Sequence, residues 1–191
     1  MNGYNFTNRV RNVLEMARND AILRRHPYVG TEHLLLGLMR EEDGVAAAVF
    51  QNLGPNLPDI QATIERIITS GKADTVSSSP IPYTSRGKKV LELAMDSARE
   101  LNCEYVGSEH LLLGLLREET GIAAQVLKKA GLTQHSARAE VLRLWGRSSE
   151  LGPLASQGTV TSVRIEVGFA NGRANTEVFA TLAEAIAYLQ K

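Results

Sequence analysis

A chain of 191 residues, 43% of them hydrophobic, is long enough for one good domain or two small ones, and its composition excludes wholesale disorder. Its 21 basic and 21 acidic side chains balance, so no global field draws it to nucleic acid or to a membrane surface, and neither is expected as a partner. One cysteine, Cys103, cannot form an intramolecular disulfide, which makes the cytoplasm the expected location.

The opening MNGYNFTNRVRNVLEMARND has neither the apolar run of a signal peptide nor that of a membrane span, and Glu15 and Asp20 argue against an organelle transit peptide. It reads instead as the start of a repeat. The segment from Phe6 to Gly54 lies without a gap on the segment from Tyr83 to Gly131, at an offset of 77 residues and with about half the positions identical. Two copies are fewer than a solenoid needs, so the expectation is a pseudo-twofold domain whose halves bury apolar faces on each other.

In chain order, Thr7 is the expected N-cap of a first helix that sets Val10, Val13, Leu14, Ala17 and Ala21 on one stripe. Its counterpart begins at Thr84 and turns Val90, Leu91, Ala94, Ala98 and Leu101 inward. HPYVG and CEYVG break these helices, since Pro27 cannot continue one. A second helix is expected to open with Thr31 or Ser108 as N-cap, to carry Glu32 or Glu109 at its first helical position where the macrodipole favours an anion, and to end before Gly44 or Gly121. A short third helix stops at Gly54 or Gly131, and a fourth, roughly 58–69 and 134–145, closes each unit.

Between the copies SGKADTVSSSPIP reads as a surface linker, and RSSELGPLASQG as another. Beyond them TVTSVRIEV and NTEVFA alternate apolar and polar residues around an Asn171-Gly172 turn signal, and TLAEAIAYLQK reads as a helix capped by Thr181 with Glu184. This β-β-α appendage is too small to be an obvious independent domain and is expected to dock on the helical body or to pair with another chain, a homodimer included.

The blocks VGTEHLLLGLMREEDGVAA and VGSEHLLLGLLREETGIAA, each preceded by a T-x-R helix start, resemble the Clp N-terminal repeat of ClpA/ClpC-type AAA+ chaperones, nearer the ClpC branch, over roughly Tyr4 to Gly146. The resemblance implies a mainly α fold, a duplicated four-helix Clp repeat of eight helices over residues 1–146, with copies at about 4–69 and 83–146. A linker at 147–158 and the β-hairpin-plus-helix appendage at 159–191 follow. It implies a protein-binding module that receives substrates or adaptors for an ATP-driven unfoldase and its protease. No G-x-x-x-x-G-K-[ST] phosphate loop occurs, so the ATPase engine is not in this chain. The expectation is a stand-alone receptor that is not an enzyme and holds no cofactor or metal.

The ClpC resemblance further implies recognition of phosphoarginine. Glu32 and Glu109 of the G-[TS]-E-H motif would accept the guanidinium, and Thr7, Thr84, Arg9 and Arg86 of the T-x-R motif would hold the phosphate, giving one pocket per copy. A neighbouring surface for cyclic-peptide antibiotics or adaptors maps to Arg11, Tyr83, Lys88 and Glu92. Competing readings are a sequestering protein that traps such peptides or adaptors, and an accessory subunit of the protease complex.

The residues also have plainer roles. Glu32 and Glu109 can serve the helix dipole alone, and Thr7 and Thr84 can be caps alone. His33 and His110 are expected to be hydrogen-bonded core histidines, because E-H-L-L-L lacks a second ligand at helical spacing. Cys103 has no paired base in a nucleophile motif. The Arg40-Glu41-Glu42 and Arg117-Glu118-Glu119 runs read as solvated helix ends, and Trp145 as a residue of the core or of the docked tail.

Overall fold

In the computed structural model, residues 5–68 and 81–146 are described in full and 163–168 and 174–179 by their backbone. Helix α1 (Asn8–Leu23) starts where expected: the Thr7 hydroxyl accepts the Val10 N–H at 3.3 Å, and Val10, Val13, Ala17 and Ala21 are buried while Leu14 is half-buried. Arg24 and the left-handed Arg25 (φ 57°) end it, before Pro27 is reached. Its counterpart α5 (Ser85–Glu100) is capped by Thr84, which accepts from Gly87 N–H at 3.0 Å.

Helices α2 (Thr31–Met39) and α6 (Ser108–Arg117) are almost wholly buried and cross α1 and α5 at very short range. Gly37 and Gly114 make this crossing possible, since a Cβ there would lie 2.6 Å from the Val13 carbonyl oxygen and 2.5 Å from that of Val90. The second copy's N-cap is Gly107 and the first copy's Gly30, not Ser108 and Thr31 as expected. Each of these hydroxyls caps a helix of the other copy. Thr31 Oγ1 accepts from Ala123 N–H at 3.4 Å, near the start of α7 (Ile122–Lys129), and Ser108 Oγ accepts from Ala46 N–H at 3.3 Å, near the start of α3 (Val45–Leu53).

Gly44 and Gly121 likewise do not terminate α2 and α6, which end several residues earlier; they are the N-caps of α3 and α7. A Cβ on either would collide with the hydroxyl that crosses from the other copy, at 2.3 Å for Ser108 and 2.7 Å for Thr31. Helix α4 (Leu57–Ile67) packs on α7, and α8 (Gln134–Leu144) on α3, so each fourth helix also leans on the opposite copy. Asn52 on α3 donates to Glu140 on α8 at 2.7 Å, and Arg143 grips the same carboxylate at 2.6 and 2.8 Å.

Short parallel pairings that the pattern of residues does not announce complete the exchange. β1 (Asn5–Phe6) pairs with β2 (Tyr105–Val106), and Val29 bridges Tyr83 in the pseudo-symmetric position. Thr7 N–H donates to Val106 C=O and Thr84 N–H to Val29 C=O, both at 3.0 Å, so the start of each first helix is hung on the Y-V-G segment of the other copy. The resulting core runs through both halves, with Leu34, Leu35, Leu38, Leu111, Leu112 and Leu115 at its centre and Trp145 packed against its edge. Among the described residues the architecture is the expected one, mainly α with eight helices.

The chain divides into two units, Met1–Leu151 and Gly152–Lys191. In the second, β3 (Val163–Gly168) and β4 (Ala174–Phe179) form an antiparallel pair with Val163 opposite Phe179 and Gly168 opposite Ala174. Most of the first linker, the second linker, the Asn171-Gly172 turn, the helix expected from Thr181 and the aromatic Tyr4 lie outside the described residues.

Candidate functional site

A cleft of about 330 Å³ opens where the two copies meet, lined by Gly30, Thr31 and Glu32 of the first copy and by Thr84, Ser85, Arg86, Gly121 and Ile122 of the second. Here the structure changes the expected grouping. Glu32 is not brought to Thr7 and Arg9 of its own copy but to Thr84 and Arg86 of the other. The mirror arrangement sets Glu109 near Arg9 and Glu41, with Ser108 against Gly44 and Thr7 tied to Val106. The residues of each set are therefore shared between copies, because the strand-like pairings carry each T-x-R start across to the opposite G-[TS]-E-H motif.

Each glutamate carboxylate folds back over the N-cap of its own helix: a Cβ on Gly30 would lie 2.2 Å from Glu32 Oε1, and one on Gly107 would lie 2.4 Å from Glu109 Oε1. There it meets the positive end of the helix. The neighbouring histidine serves the same turn. Gly30 N–H donates to His33 Nδ1 and Gly107 N–H to His110 Nδ1, each at 2.9 Å, which fixes Nδ1 as an acceptor and the ring proton on Nε2. His33 Nε2 then faces His26 Nδ1 at 2.7 Å, whereas His110 Nε2 has no hydrogen-bond partner among the described residues and its ring lies 5.8 Å from that of Trp145.

Burial lowers both imidazoles to about 4, helped at His33 by the adjacent His26, which opposes a second positive ring there, so both are neutral at physiological pH. The 3.3 Å approach of Glu32 Oε1 to His33 Nδ1, and the 3.5 Å approach of Glu109 to His110, are contacts with neutral rings and not ion pairs. Burial also raises the Glu109 carboxyl above its ordinary value. Hydrogen bonds from its own amide and from Ser108 oppose this, the charge of Glu41 reinforces it, and Arg9 offsets part of it.

Two residues that sequence reasoning missed stand beside the arginines of the seam. Glu41 and Glu118 were expected in solvated helix ends; instead Glu41 is buried and only the following Glu42 and Glu119 are exposed. Glu41 Oε1 lies 3.5 Å from Arg9 Nε, and Glu118 Oε1 lies 3.6 Å from Arg86 Nε. The usable signal was the spacing, a glutamate three residues before the N-cap glycine of the next helix in both copies.

The second expected surface is less of a unit. Tyr83 is half-buried beside the Val29 bridge, Lys88 and Glu92 are exposed one turn apart on α5, and Glu92 is held by Lys89 at 3.3 Å. Arg11 is exposed on α1 and makes no hydrogen bond or ion pair with these three. Among the described residues no group of three or more His, Cys, Asp and Glu side chains is placed to hold a metal, and no helix is long and apolar enough to cross a membrane.

Eight helices in two interleaved copies, joined by exchanged caps and short strand pairings, define a duplicated helical domain. The chain belongs to the family of the Clp repeat N-terminal domain, whose model matches residues 5–130 and 83–166. It is 43% identical over 186 residues to the negative regulator of genetic competence ClpC/MecB of Bacillus subtilis (strain 168), a match covering 97% of this chain and 21% of that protein. It is 48% identical over 141 residues to the chaperone protein ClpB of Oceanobacillus iheyensis, covering 74% of this chain and 17% of the relative. The chain thus spans about a fifth of the length of such relatives.

Among solved structures, the N-terminal domain of ClpD from Arabidopsis thaliana superposes with a TM-score of 0.58 at 25% identity, covering 74% of this chain and 94% of that one. The Hsp104 N-terminal domain from Candida albicans shares the fold, with a TM-score of 0.62 at 18% identity over 75% of this chain and 93% of that one.

Proposed function

We propose that the domain is a receptor that binds phosphoarginine-bearing substrates, or adaptors presenting similar chemistry, by simple equilibrium at the two seam clefts, and that it performs no chemical step. The observation that carries this reading is the gathering of a carboxylate, an arginine and a hydroxyl-capped helix start, with Glu32, Arg86 and Thr84 lining one cleft, and Glu109 close to Arg9 on the helix that Thr7 caps. A phosphoguanidinium needs an acceptor for its N–H fork and a positive, N–H-rich seat for its oxyanion, and this set supplies both. The family's Clp ATPases give the context, in which a bound substrate passes to an unfoldase and protease in the cytoplasm.

Calorimetric titration of phosphoarginine tests it. Wild type is expected to bind at two sites, and Glu32→Ala/Glu109→Ala to lose that binding while keeping its helical circular dichroism. Absence of binding by wild type at millimolar ligand overturns the reading; binding indifferent to the double substitution overturns the site.

A further inference from the structure

We infer that Glu41 and Glu118 are built-in occupants of the anion seats, carboxylates that an incoming phosphate must displace and that thereby set the affinity of each cleft and its preference for a dianion. The inference rests on the seam clefts being anion receptors, as proposed above, and adds two residues to them. Each glutamate reaches the N-cap of the short helix beside its cleft. Glu118 Oε2 accepts the Gly121 N–H at the head of α7, its other oxygen accepts the Thr120 hydroxyl at 2.6 Å, and Arg86 stands 3.6 Å away. These are the groups, a helix-terminal N–H and a guanidinium, that a ligand phosphate would use.

In the other cleft the same carboxylate is poorly served. Glu41 is 9% exposed and its Oε2 has no hydrogen-bond partner among the described residues, although it is aimed at the head of α3, where a Cβ on Gly44 would touch it. Asp43 stands where the second copy has Thr120, so the helping hydroxyl is replaced by a like charge. A buried carboxylate oxygen left without a donor is costly, and a ligand that pushes it into water recovers that cost. The two clefts are therefore unequal. The one holding Glu41, Arg9 and Glu109 yields to a phosphate more readily than the one closed by Glu118 and Thr120.

The test titrates inorganic phosphate and phosphoarginine separately against wild type, Glu41→Gln/Glu118→Gln, and a control, Glu42→Gln/Glu119→Gln, that removes the same charge from exposed neighbours. Releasing a charge-assisted contact is expected to tighten binding by about tenfold, whereas the control changes it less than about twofold. In wild type the tighter site should be the one abolished by Glu109→Ala. Equal gains in both variants, or weaker binding in Glu41→Gln/Glu118→Gln, would overturn the displacement role; phosphoarginine binding still lost in Glu32→Ala/Glu109→Ala would leave the receptor reading standing. A gain for phosphate with no added affinity for phosphoarginine supports displacement and sinks the phosphoarginine reading. No anion binding by any variant overturns both.

Discussion

Replacing His33 and His110 together by glutamine should flatten the pH dependence of stability on the acidic side. In the folded domain each ring is held neutral down to about pH 4, whereas the unfolded chain takes up a proton near its ordinary value of 6.5. Between those values the unfolded state binds more protons, so stability rises with pH through that window and is lost as pH falls from 6.5 towards 4. At 1.36 kcal/mol per pKa unit, each histidine accounts for about 3 kcal/mol across the window, a large part of a typical domain's stability. Glutamine retains an acceptor for the Gly30 and Gly107 N–H groups, as it does at the third position of a capping box, but carries no titrating ring. Carboxylates, Glu109 among them, titrate in both proteins and cancel in the difference. Urea unfolding followed by circular dichroism from pH 4 to 7.5 measures it, and a variant whose stability falls with acid as steeply as wild type would refute the buried, neutral assignment.

The helix crossings and the exchanged caps give two further expectations. Gly114→Ala places a methyl 2.5 Å from the Val90 carbonyl oxygen and 2.9 Å from Ala94 N, both backbone atoms, so denaturant titration should show a loss of about 1–3 kcal/mol despite alanine's better helix propensity. Thr31→Val and Ser108→Ala should each cost about 1 kcal/mol, and hydrogen exchange should quicken at the amides of Ala123 and Ala46 in the copy opposite the substitution.

Much of the helical framework was legible because it is written locally. The stripe of Val10, Val13, Ala17 and Ala21 needs only a 3.6-residue period, and the duplication needs only an offset. What escaped is whatever depends on the other copy. A threonine before a helix announces a cap by its residue type, yet type alone cannot say that Thr31 serves α7 and not α2. Gly44 signals a break in either direction, and the direction was decided by a serine 64 residues away. Pairings two residues long, such as β1 with β2, carry no periodicity to read. Glu41 was lost for a related reason: a run of charges has solvation as its default, and only the folded chain reveals which of two adjacent glutamates turns inward. The G-[TS]-E-H and T-x-R motifs could be picked out by residue type, but which copy's motif faces which became visible only once the copies were seen to cross.

That crossing also governs when recognition becomes available to a growing chain. Glu32 is made early, but Arg86 and Gly121, which complete its cleft, lie far downstream, and the cleft of Arg9 waits for Glu109. Neither half alone holds a complete set of these side chains. If the clefts bind as proposed, ligand affinity is a checkpoint on the finished domain, and a truncated or stalled product would lack it.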